Sequence, residues 1–265
     1  MGMGARAIWT GQIKIGSATV PVKLYSAAQD KSVHFHILEA KTKTPIKQHM
    51  VNPETGEEVP SKDIRKAYEV ERGTFVFLND EELSELEPKA SRDIEITHFV
   101  PAGHISHLWY ERPYFLGPNG ENETYSAFVE ALRNQHKEGI VRWVMRKKSY
   151  VGALRTNGDY LALITLRHAD EILSARDLPA PQARGLPGKE LNMAEQLVGA
   201  LEGQFNPQDF RDNYRDRILE FINGKARGKK MKLPAVRAKQ SKLTLADELA
   251  RSLKSLKRHK ERKVA

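Results

Sequence analysis

Through the first 170 residues the chain runs in short stretches where apolar and polar side chains alternate, and a period of two commits such stretches to β-strands. Ala7–Ile15, Val20–Tyr25, Val33–Leu38, Thr74–Leu78, Asp93–Val100, Ser106–Tyr110, Ile140–Met145, Tyr150–Arg155 and Tyr160–Leu166 all read this way. Asn157-Gly158 between the last two is the strongest hairpin signal, because a type I′ turn needs positive φ at both central residues. Pro21 cannot donate to a ladder, so it marks its strand as an edge or a bulge. Many short strands at regular spacing predict a barrel or sandwich. Two helices interrupt them, one capped by Asn79 and reaching Leu86, the other from Thr124 to Lys137 and stopped by Gly139. Residues 41–73 are polar and carry the turn Asn52-Pro53-Glu54-Thr55-Gly56, as expected of a long hairpin leaving the core or of a plain surface loop.

Past a Pro/Gly-rich break at Pro179–Gly188 the period changes to that of helices. Glu190–Leu201 carries Leu191, Ala194, Leu197, Val198 and Leu201 on one stripe. Asn206-Pro207 opens a second helix with Phe210, Tyr214, Ile218 and Phe221, and Gly224 closes it. Stripes this apolar have to be covered by the barrel or by a second subunit. The fold class expected is therefore α+β: a barrel or sandwich interrupted by the excursion at 41–73, then helices over 186–224, and a basic tail at 225–265 with one short helix at 244–257.

Charge is divided unevenly. Of the 43 lysines and arginines, 15 lie in residues 225–265 against 3 acidic residues, a net of +12; residues 1–224 hold 28 basic and 31 acidic residues, a net of −3. Such an asymmetry points to a polyanionic partner. There are no cysteines, which excludes disulfides and thiolate metal sites. No signal-like run and no apolar stretch of about 18 residues is present, so a cytoplasmic protein without a membrane partner is expected.

Catalytic signatures are missing. Gly185-Leu186-Pro187-Gly188-Lys189-Glu190 has the wrong spacing for a phosphate loop, and neither G-x-S-x-G nor G-x-G-x-x-G occurs. His34 and His36, at i, i+2 on one strand face, together with His104 and His107, are the only residues that suggest a metal-dependent enzyme. No carboxylate ligand accompanies them in sequence, so no enzyme, metal or cofactor is expected.

The opening Arg6-Ala7-Ile8-Trp9-Thr10-Gly11, with Ile15-Gly16 and Val20-Pro21-Val22-Lys23-Leu24-Tyr25-Ser26-Ala27, resembles the bacterial Ku family. So do Lys66-Ala67-Tyr68-Glu69, Leu78-Asn79-Asp80-Glu81-Glu82-Leu83, Ser91-Arg92, Ile94-Glu95-Ile96, Phe99-Val100-Pro101, Pro113-Tyr114-Phe115-Leu116 and Leu191-Asn192-Met193-Ala194-Glu195-Gln196-Leu197, in the family's order. The resemblance implies a β-barrel core over 1–185 with 41–73 as an inserted arm and 186–224 as a helical dimerisation arm. It also implies a homodimer whose barrels and arms close a ring on double-stranded DNA ends, recruiting DNA ligase D in non-homologous end joining. A general architectural DNA-binding protein acting through its tail is the alternative. Some relatives carry Cys-x-x-Cys in the arm, where this chain has Met50-Val51-Asn52-Pro53-Glu54-Thr55-Gly56.

A clamp that accepts any break needs phosphate contacts, not base contacts. The candidates are Lys41, Lys43, Lys47, Lys62, Arg65 and Lys66 in the arm, Arg142, Arg146 and Lys147 on a barrel strand, and Lys229, Lys230 and Lys232 in the tail. Phe210, Tyr214, Ile218 and Phe221 are the expected dimer contacts. Leu245, Leu249, Leu253 and Leu256, after a capping box at Thr244, form the stripe expected to dock on the ligase.

Overall fold

The alternating runs pair as β1 (Trp9–Ile15), β2 (Ala18–Ser26), β3 (Lys66–Glu71) and β4 (Thr74–Leu78), then α1 (Asp80–Glu85), β5 (Asp93–Pro101), β6 (Tyr110–Pro118), α2 (Asn122–Asn134), β7 (Lys137–Met145), β8 (Lys148–Asn157) and β9 (Tyr160–Leu166). Helices α3 (Gly188–Ala200) and α4 (Asn213–Ala226) follow. The structure, a computed structural model, describes residues 6–180, 188–228, 249–252 and 254. Two units emerge: Met1–Lys31 with His36–Asp177, and Ser32–Phe35 with Leu178–Ala265.

In the first unit seven strands close a barrel in the order β1-β2-β6-β9-β8-β7-β5. Every pairing is antiparallel except the closing one, where Gln12, Ile13 and Lys14 of β1 run parallel to Asp93, Ile94 and Glu95 of β5. The period of two then fills the interior: Val20, Val22 and Leu24 from β2 and Val141, Trp143 and Met145 from β7 are buried with Ile13, Ile94, Leu116, Leu154, Leu161 and Leu163. Helix α2 adds Tyr125, Val129 and Leu132 to the same core. Tyr125 fastens it, because its hydroxyl donates to the Leu116 carbonyl (2.5 Å) and accepts from the Leu161 N–H (2.8 Å). Burial pushes that phenol up from 10.0 to about 12.

Several local expectations are corrected. β2 is not an edge: it lies between β1 and β6. Pro21 is tolerated because its ladder to β6 begins only at Val22↔Pro118, and its own carbonyl accepts from Asn119 N–H (3.1 Å) just past that end. Val33–Leu38 forms no strand; it is irregular and largely exposed, with an isolated bridge at Leu38↔Pro45, for want of a neighbouring strand. Ser106–Tyr110 is mostly a 3₁₀ turn (His107–Trp109), and the barrel strand starts where it ends. Pro113 is accommodated there beside an irregular register between Tyr110 and Pro113. Helix α2 stops at Asn134, and the chain turns at His136 (φ 47), leaving Gly139 inside β7. The β8–β9 hairpin pairs Asn157 with Tyr160, so Gly158 (φ 60) is the first central residue and the turn is of the type II′ kind, not I′.

Between β2 and β5 the chain makes a long excursion. It holds isolated bridges at Leu38↔Pro45 and Val51↔Glu58 and the two-stranded β3–β4 sheet. Thr74–Leu78 therefore pairs outside the barrel. Asn79 caps α1 as expected, with a full capping box to Glu82.

In the second unit Asn206 and Pro207 open only a 3₁₀ turn, Pro207–Asp209. Helix α4 starts later, because Asp212 accepts from the N–H groups of Tyr214 (3.0 Å) and Arg215 (2.9 Å). Phe210 therefore precedes the helix, which runs past Gly224 to Ala226.

Candidate nucleic-acid interface

The expected phosphate-binding residues fall into distinct local settings. Lys41 and Lys43 sit in the turn that Lys43 N–H closes on the Glu39 carbonyl (2.8 Å), with Lys43 at φ 58. With Lys47 they are exposed and make no ion pair among the described residues. Lys62 lies in the 3₁₀ turn Ser61–Asp63, and Arg65 folds back onto the carbonyls of Lys62 (2.6 Å) and Ile64 (3.1 Å). Lys66 opens β3 and is bound to Asp80 (3.1 Å).

On the barrel, Arg142 alone lies on a strand. It faces outward on β7 opposite Glu95, which in turn stands opposite Lys14, so a ladder of alternating charge crosses β1, β5 and β7. Arg146 and Lys147 are instead the two residues of the β7–β8 turn, where Met145 pairs with Lys148. Both hold positive φ, 50 and 65. Two-residue turns of this kind prefer Asn-Gly, and placing two cations there costs about 1–2 kcal/mol per residue. The turn borders a groove that Trp9 lines together with two further cations, Lys89 and Arg92, which were not among the expected phosphate ligands. Arg146 makes no ion pair among the described residues, whereas Lys147 is held by Glu87 at 3.0 and 3.2 Å.

One polar network was not foreseen. Glu138 is buried in β7 and accepts from the Gly103 N–H (3.1 Å) and the Tyr110 hydroxyl (3.2 Å), with Arg155 at 3.4 Å. Desolvation first, then the Glu138 charge, raises the Tyr110 pKa. The carboxylate ties the loop after β5 to the barrel wall, a structural role rather than a chemical one. Only the full fold brings Gly103, Tyr110, Glu138 and Arg155 together, so no sequence motif announces them.

His34 and His36 lie in strandless chain, and among the described residues no group of three or more His, Cys, Asp or Glu could hold a metal. Among the same residues no helix is long and apolar enough to cross a membrane.

In the helical unit Phe210 and Tyr214 are exposed and Ile218 and Phe221 half-buried, and Phe210 stacks on Phe205 with ring centroids 5.2 Å apart. Leu249 is helical and half-buried. Lys229, Lys230, Lys232, Leu245, Leu253 and Leu256 lie outside the described residues.

What the geometry offers is a closed barrel with cations on its outward face and turns, and an excursion between β2 and β5 that carries further exposed lysines. A family model described as the Ku70/Ku80 beta-barrel domain matches residues 14–193. The non-homologous end joining protein Ku of Anaeromyxobacter sp. (strain K) is 38% identical over 257 residues, covering 96% of this chain and 87% of its own. Ku 2 of Geotalea uraniireducens (strain Rf4), with the same description, is 35% identical over 257 residues, covering 97% and 99%. That of Mycobacterium tuberculosis (strain CDC 1551 / Oshkosh) is 34% identical over 229 residues, covering 84% of each chain.

Proposed function

The chain belongs to the Ku family, and from that premise we propose that it binds the ends of double-stranded DNA without regard to sequence and acts in non-homologous end joining, as a ring-shaped homodimer that recruits DNA ligase D. The observation that carries this reading is the match to relatives named for end joining along nearly the whole length of both chains. The role is that of a clamp, not an enzyme, exercised in the cytoplasm at the nucleoid. Physical chemistry supports it. A body of net −3 is a poor wrapping surface for DNA, but a closed ring needs only a local positive lining to steer the duplex while topology holds it.

In this reading the core is 1–185 and residues 41–73 are the arm of the ring. The lining is drawn from Lys41, Lys43, Lys47, Lys62, Arg65, Lys66, Arg142, Arg146 and Lys147. Segment 186–224 holds the dimer through Phe210, Tyr214, Ile218 and Phe221. The exposure of Phe210 and Tyr214 favours this assignment, because rings left in water on one chain are available to a second. The tail, 225–265, contributes Lys229, Lys230 and Lys232 to DNA and carries the docking helix.

A second reading is favoured by the net +12 of the tail: an architectural protein whose tail does the binding. Competition separates the two. Excess covalently closed circular duplex should fail to displace the protein from labelled linear duplex of equal length, since threading requires an end. Equal competition by circles favours the architectural reading.

A further inference from the structure

We propose that Glu87 is an internal competitor for the DNA phosphate at Lys147, and so sets both the strength and the salt sensitivity of that contact. The inference rests on the reading of Lys147 as a phosphate-facing residue. Both carboxylate oxygens of Glu87 lie on the Lys147 ammonium, at 3.0 and 3.2 Å. The Glu87 side chain is 33% exposed and that of Lys147 72%, so the acid is the fixed partner and the lysine the accessible one.

Position explains why the two groups meet. Lys147 occupies a two-residue turn at φ 65, which fixes where its side chain leaves the backbone. Glu87 follows a helix pinned at its start by the Asn79–Glu82 capping box, and Pro88 comes next. The same short acidic segment takes a second expected phosphate ligand, since Asp80 holds Lys66 at 3.1 Å. Arg146, the neighbour of Lys147 in the turn, stays free of acid among the described residues. The turn therefore presents one open cation and one neutralised by its own chain.

A phosphate arriving at Lys147 meets a pair of zero net charge. It must draw the ammonium off the carboxylate or share it, and either way the contact is weaker than one to a bare lysine. For a clamp this is useful, because loose phosphate contacts let the ring slide and keep unthreaded DNA from being held.

The test uses the full chain and a short blunt-ended duplex, with affinity followed across salt. Glu87→Gln keeps the shape and removes the charge. It should tighten binding about two- to fivefold at low salt, the scale of an exposed ion pair. The slope of log K against log salt should steepen by up to about 0.9, one recovered phosphate contact. Glu85→Gln removes the same charge from the same groove, and Glu85 makes no ion pair among the described residues, so its gain should be much smaller. Lys147→Asn removes the cation with a residue that tolerates positive φ. In that background the effect of Glu87→Gln should shrink to that of Glu85→Gln.

Equal gains from Glu85→Gln and Glu87→Gln, or a full gain that survives Lys147→Asn, mean a general field effect and overturn the proposal. If Lys147→Asn weakens binding while Glu87→Gln changes nothing, Lys147 meets DNA but Glu87 does not compete for it. If Lys147→Asn leaves affinity unchanged, the phosphate-facing reading of Lys147 fails with it.

Discussion

Val20, Val22 and Leu24 of β2 are sealed inside the barrel, whereas neither α3 nor α4 buries any residue in the single chain. Both segments are patterned with comparable care, one with a period of two and the other with a helical stripe. The difference lies in what covers the pattern. A closed sheet supplies its own partner face, and α2 adds to it; the helical stripes stay half-buried or exposed. Apolar patterning therefore reports that a face will be covered but not by which chain. That is why the same kind of substitution should have different consequences in the two regions.

The largest effect is expected in the barrel. Leu116→Ala should cost about 2–5 kcal/mol, read as a lower melting temperature at every protein concentration. Phe210→Ala, at a residue 72% exposed, should leave single-chain stability within about 0.5 kcal/mol and instead weaken self-association in sedimentation. A Phe210→Ala protein that melts like a core variant while remaining associated would place that ring in a core and break the contrast.

A smaller effect belongs to Tyr125 and is specific to pH. Its folded pKa of about 12 stands above the ordinary phenol value of 10.0, so the neutral phenol favours the fold fully below pH 10. That contribution is lost as pH rises from 10 towards 12, amounting to about 2–3 kcal/mol at the upper end. Tyr125→Phe should lower stability at neutral pH, because Leu161 N–H and Leu116 carbonyl lose their shared partner, and should remove this alkaline step. An unchanged alkaline step in the variant would assign it to another group.

The smallest effect on stability is expected in the tail. Leu249→Asp with Leu253→Asp should leave the barrel melt unchanged within about 0.5 kcal/mol and abolish stimulation of the ligase while end binding persists. A markedly lower melt would mean that these leucines belong to the fold.

Much of the barrel was legible because alternation, Asn157-Gly158 and the Asn79 cap are local signals. Gly158 marked its hairpin correctly even though the turn is offset by one residue from the Asn-Gly expectation. What could not be read is non-local. The parallel β1–β5 closure joins residues about 80 positions apart, with Gln12 donating to Asp93 (2.8 Å) across it. Val33–Leu38 has the composition of a strand and lacks only a neighbour, which composition cannot supply. The cations were visible one by one, but their partners were not: Lys147 with Glu87 and Arg155 with Glu138 come together only through the fold. Charge run alone assigned Lys147 to phosphate and gave no hint that an acid already holds it.

The central claim is enclosure of the duplex by a dimeric ring, and topology tests it most directly. The protein is loaded on linear duplex with both ends open, the ends are then capped with bulky blocks on half of the sample, and both halves are washed at salt high enough to strip phosphate contacts. Enclosure predicts that protein stays on the capped duplex and runs off the open one. Equal loss from both would show that charge alone holds the complex and would contradict the ring.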